Sequence, residues 1–159
     1  MRTVRRRMTG AVALSVLATT ALAGAHTEAA RTNSTEGDFE DVVFEIESAV
    51  VDRALVLDFH GHSGDMLERT ADVNEATTPF TDARYFDFCS PALTHAAIAA
   101  SPENLTICPY VVYACQLKDS PDTVTVGYRE PGGAGDEASE AAPSDIEARP
   151  REIVDEVTR

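Results

Sequence analysis

Ala83-Arg84-Tyr85-Phe86-Asp87-Phe88-Cys89-Ser90-Pro91 is the stretch that decides the fold. Side chains alternate along a strand, so Phe86 and Phe88 face one way while Tyr85, Asp87 and Cys89 face the other, which predicts a strand over 83–89. Ser90 is a favoured helix cap, and proline at the first helical position has no amide to lose, so Pro91 opens a helix. That helix is alanine-rich, carries Leu93, His95 and Ile98, and stops near Ser101-Pro102. Working towards the N-terminus, Thr77, Thr78 and Pro79 form a loop. Ser63 is placed to cap a short helix with Met66 and Leu67 that runs to about Val73. Before it, 54–60 reads as a strand with Leu55, Leu57 and Phe59 on one face and Val56, Asp58 and His60 on the other. Phe39, Val42, Val43, Ile46, Ala49 and Val50 repeat at helical spacing behind a capping Asp38. Towards the C-terminus, strands over 110–117 and 123–128 flank the turn-forming run Asp119-Ser120-Pro121-Asp122. This order predicts an α+β class: a small two-layer domain, with a mixed or antiparallel sheet of about four strands and helices packed on one face.

The ends of the chain differ in composition from this middle. Arg2, Arg5, Arg6 and Arg7 precede an apolar run from Ala11 to Ala23 and then small residues up to Ala25, the layout of a cleaved signal peptide over 1–25. The run is too short for a spanning helix, so no membrane span is expected after its removal, and the mature chain is expected in the periplasm or secreted. Residues 26–37 are polar and without hydrophobic period, which predicts a linker. The domain is expected over 38–129. From Glu130 the chain turns Gly-rich and then acidic, so 130–159 is expected to be mostly disordered, with Ile146, Ile153, Val154 and Val157 offering only a marginal helix that Pro150 interrupts. Losing the four arginines of the leader from 13 basic residues leaves nine against 27 acidic ones, a charge near −18. Such a surface repels nucleic acid and anionic lipid and favours basic partners or cations.

Phe88-Cys89-Ser90-Pro91, the alanine-rich helix after it, and Pro109 heading a valine-rich strand and hairpin resemble the family of domain of unknown function 302, over about residues 38–129. The family's Cys-Asn-Pro stands here as Cys89-Ser90-Pro91, and its Leu-Pro as Cys108-Pro109; Ser90 and Cys108 depart from the usual pattern. The resemblance implies a compact two-layer α+β fold, often a homodimer, without an established activity. For exported members it implies a periplasmic protein partner in a redox or sulfur-oxidation setting.

The residues that could carry chemistry are few. In an oxidising compartment Cys89 and Cys108, which bracket one helix, are the sensible disulfide pair, closing a loop worth roughly 3 kcal/mol. Cys115 shares a strand face with Val111 and Tyr113 and is expected to be a buried small hydrophobe. Asp58 and His60 share one strand face, and Asp87 and Cys89 share one face of the next, so neighbouring strands would bring them together. With His62, Pro91, Cys108 and Pro109 these form the expected binding region. No catalytic constellation is legible, which makes an enzyme the less favoured reading: a thiol enzyme would need Cys89 as a low-pKa thiolate with His95 as its base. The expected function is an exported accessory or binding module that takes a small ligand or protein partner near Cys89 and His60, with no cofactor. The alternative is a periplasmic redox or metal protein in which His60, His62, Met66 and Cys89, with Cys108 nearby, hold copper or haem iron, since imidazole and soft sulfur ligands suit those metals.

Overall fold

The computed structural model describes residues 30–130 and 137–159, so the expected signal peptide lies outside the described residues. Strands β1 (Ala30–Glu36), β2 (Val56–Gly61), β3 (Phe80–Cys89), β4 (Tyr110–Leu117) and β5 (Ser120–Arg129) form one antiparallel sheet in the order β1-β5-β4-β3-β2. Among the described residues the helices are α1 (Phe39–Asp52), α2 (Ser63–Thr70), α3 (Pro91–Ala100) and α4 (Glu137–Val157), with 3-10 turns at Asp72–Asn74 and Pro102–Ile107. The α+β class is as expected, with five strands in place of about four.

One face of the sheet carries the core. Phe86 and Phe88 on β3, Val112 and Ala114 on β4, and Val124 and Val126 on β5 all point to it and are fully buried. Helix α1 lays Val42, Val43, Ile46 and Val50 onto this face, and α4 packs against α1, α3 and the β1/β5 side of the sheet. Asp38 caps α1 as expected, its Oδ1 accepting the amides of Glu40 and Asp41 at 2.9 and 3.3 Å. Ser90 caps α3 by accepting from Leu93 N–H at 3.5 Å. Ser63 does not cap α2: its hydroxyl instead donates to the carbonyl of Ala83 at 3.0 Å, which pins α2 beside β3 past the end of the short β2.

Both expectations for the chain ends are corrected. Residues 30–36, expected in the linker, form β1, which pairs with β5 along its whole length from Ala30 opposite Arg129 to Glu36 opposite Thr123. An edge strand is held by backbone hydrogen bonds on one side, so it can form from a polar sequence such as Ala-Arg-Thr-Asn-Ser-Thr-Glu without a hydrophobic period. Within 130–159, expected to be disordered, Glu137–Val157 is helical. Ile146, Pro150, Ile153, Val154 and Val157 fall on one helical stripe and are all buried. Pro150 is part of the packed face, and the burial gained along the stripe outweighs the backbone hydrogen bond that proline cannot make.

Candidate functional site

Asp58 on β2 governs where the expected site residues go. The β2/β3 register runs Val56 to Cys89 and Leu57 to Phe88, then shifts, so that Phe59 lies opposite Asp87 and His60 opposite Phe86. Asp58 is the extra residue of a β-bulge, and a bulge reverses the facing of everything after it. Phe59, expected on the face of Leu55 and Leu57, stands instead on the opposite face of the sheet and is 54% exposed. His60 passes to the helix side, its ring 4.6 Å from that of Phe86. The expected meeting of His60 with Asp87 and Cys89 therefore does not occur; Asp58, Asp87 and Cys89 remain with the open face.

On the helix side His60 Nδ1 lies 2.8 Å from Glu47 Oε1 of α1, a partner that strand periodicity alone does not reveal. His62 stacks on His60 with centroids 4.8 Å apart and planes 11° apart, and its own Nδ1 lies 3.9 Å from Asp65. Rings stacked in parallel direct their nitrogens along similar directions and do not converge on one ion. Met66 is 45% exposed on α2, so it is not a core residue. Cys89 and Cys108 are joined as a disulfide, Cα atoms 6.0 Å apart. Among the described residues no three His, Cys, Asp or Glu side chains are grouped to hold a metal ion. Pro91 is exposed at the start of α3, His95 is exposed further along it, and the Cys108-Pro109 peptide is cis, with the Pro109 carbonyl accepting from Arg129 Nη2 at 2.8 Å.

The open face holds a feature the sequence reading missed. Gly61, Tyr85, Tyr113 and Gly127 are successive cross-strand partners through β2, β3, β4 and β5. The two tyrosines splay apart, each lying over a glycine: a Cβ on Gly61 would land in the Tyr85 ring, and one on Gly127 would sit 2.8 Å from the Tyr113 hydroxyl and 2.7 Å from the Arg31 carbonyl. Aromatic cover of this kind needs glycine beneath it. The signal was present as two glycines within strand patterns, which mark close approach. Phe59 adds a third ring, 5.9 Å from Tyr85. Val56 is 52% exposed beside them, and Val111 and Cys115 are half-buried on the same face of β4. Cys115 is thus not a core residue, although partial burial pushes its thiol pKa up and keeps it in the unreactive form. Burial also raises the Asp87 carboxyl, against a downward pull from Arg129, with Asp58 adding to the rise.

A cavity of about 300 Å³ lies on the helix side of the sheet, beside Ile107, Tyr110, Ile146 and Pro150. Its walls are core side chains, and its charged rim is already engaged, Arg129 by the Pro109 carbonyl and Glu130 by Arg31. The open face is the better candidate.

No family model and no curated protein matches this sequence. Among solved structures, the chain is similar to the crystal structure of the uncharacterized conserved protein DUF302 from Bacillus stearothermophilus, with a TM-score of 0.69 at 14% identity, over 83% of this chain and 99% of that one. At that identity the likeness shows a shared fold, the one the Cys89-Ser90-Pro91 and Cys108-Pro109 motifs suggested.

Proposed function

We propose that this chain is an exported binding module that docks a protein partner on the open face of its sheet. The observation that carries the reading is that the hydrophobic core cluster lies on the other face, yet this one presents Phe59, Tyr85, Val111 and Tyr113 together. A contiguous apolar patch on a small domain marks an interaction surface. The face is a sheet surface and not a cleft, which suits a protein partner better than a small ligand, for which concave sites are usual. Export is supported by the arginine-led apolar leader and by a disulfide, which persists in oxidising compartments. No helix among the described residues is long and apolar enough to cross a membrane.

The test is site-specific photocrosslinking in cells that express and export the full chain. A crosslinker at Phe59 or Tyr113 is expected to give a discrete adduct, and one at Phe44, exposed on α1, is not. Adducts absent from both sheet positions in folded protein, or equally abundant from Phe44, would end the proposal.

A further inference from the structure

Resting on that reading, we infer that the partner presents an arginine or lysine side chain to the Phe59 end of the open face, where it meets the carboxylates of Asp58 and Asp87 and stacks on the exposed ring of Phe59.

Three observations point to a cation there. The bulge pushes Asp58 out of the β2/β3 ladder next to the Phe59/Asp87 cross-strand pair, so two carboxylates and two rings, Phe59 and Tyr85, occupy one corner of the sheet. Neither carboxylate has a hydrogen bond or ion pair among the described residues, unlike Glu40, Glu47 and Glu156, which are each paired to a basic side chain. Among the described residues Arg129 is the cation that pulls on Asp87, and its guanidinium is bonded to the Pro109 carbonyl. Two like charges held together beside apolar rings repel each other, and an incoming cation relieves that repulsion while it gains the face of an aromatic ring. A guanidinium suits both tasks, because its flat fork meets carboxylates edge-on while its plane stacks. At longer range the whole molecule works the same way: without its leader, nine basic residues stand against 27 acidic ones, near −18, a field that steers a basic partner inward.

The experiment uses the full exported chain and two short capped peptides, one glycine-arginine repeat and one with glutamine in place of each arginine, followed by amide chemical shifts at low salt. The arginine peptide is expected to give saturable shifts centred on Phe59, Tyr85 and Asp87, and the glutamine peptide none. The double variant Asp58→Asn/Asp87→Asn should weaken binding about tenfold, whereas Asp119→Asn/Asp122→Asn, which removes the same charge at the distant β4/β5 hairpin, should change it less than about twofold. Equal weakening by both variants would reduce the effect to bulk charge and overturn the inference, as would equal binding of the glutamine peptide. If crosslinks form at Phe59 or Tyr113 in cells while the arginine peptide fails, only the cationic chemistry falls; if both fail, the docking face falls with it.

Discussion

Single side chains already show where this molecule trades stability against its surroundings. Tyr110 is 3% exposed and packs edge-on against Phe88, yet its hydroxyl finds no hydrogen-bond partner among the described residues. An unpartnered buried hydroxyl costs about 1–3 kcal/mol, and phenylalanine keeps the ring while removing the cost. Tyr110→Phe is therefore expected to raise the thermal midpoint; a lower midpoint would show that the hydroxyl is bonded in solution. Asp87 makes a second case. Burial holds its carboxyl above the ordinary carboxylate range, with Arg129 opposing and Asp58 reinforcing. The folded chain thus binds this proton more tightly than the unfolded chain. Its contribution is most favourable below the unfolded value of about 4 and is lost as pH rises through the raised folded value. Asp87→Asn should accordingly be more stable than the native chain at neutral pH, with the gap narrowing on acidification. Urea titrations at neutral and at acidic pH check this, and a gap independent of pH would count against it.

Elements differ in how far local sequence determines them, and that difference explains which parts of the fold could be read in advance. The Asp38 cap with the α1 stripe, and Ser90-Pro91 between β3 and α3, are local signals, and both form as written. β1 was illegible because an edge strand draws its stability from the β5 backbone, which composition does not report. Local sequence argues against α4 because Pro150 breaks isolated helices, whereas tertiary burial of Ile146, Ile153 and Val154 sustains this one. The site suffered from the same limit. Asp58, Asp87 and Cys89 were legible as neighbours, but one inserted residue at the Asp58 bulge moved His60 away and brought Phe59 in, and no sequence period announces a bulge. Packing at the tyrosine row gives an element-scale prediction. A methyl at Gly127 would meet the Arg31 carbonyl and the Tyr113 ring together, forcing β1 from β5, so Gly127→Ala should cost about 1–3 kcal/mol. Hydrogen exchange should localise the loss to 30–36; a uniform loss, or none, would count against a clash between β5 and the Arg31 carbonyl.

At the scale of the whole molecule two staples close the chain, and they act on different states. The Cys89–Cys108 disulfide spans 19 residues around α3, and a loop of that length stabilises by about 3 kcal/mol, largely by restricting the unfolded chain. The C-terminal helix acts on the folded state. It packs on α1, α3, β1 and β5 and supplies Ile146, Ile153, Val154 and Val157 to the one core. It also ties the two ends of the described chain together, since Asn33 Nδ2 donates to Asp155 Oδ1 at 3.1 Å and Thr158 Oγ1 at 3.2 Å, while Arg53 pairs with Glu156. Removing a single fully buried side chain such as Ile153 costs about 2–5 kcal/mol, a large part of what a small domain has in total. The two staples should therefore fail differently. Cys89→Ser/Cys108→Ser is expected to lower stability by about 3 kcal/mol while keeping a single cooperative transition, because every native contact outside the bridge survives. A chain ending at residue 136 is expected to lose its cooperative transition altogether, because the strip of core shared by α1 and β5 then faces water. Calorimetry on the two variants separates these outcomes: a truncated chain that melts sharply near the native midpoint would show that β2–β5 with α1 and α3 form a complete domain, and that α4 only decorates it.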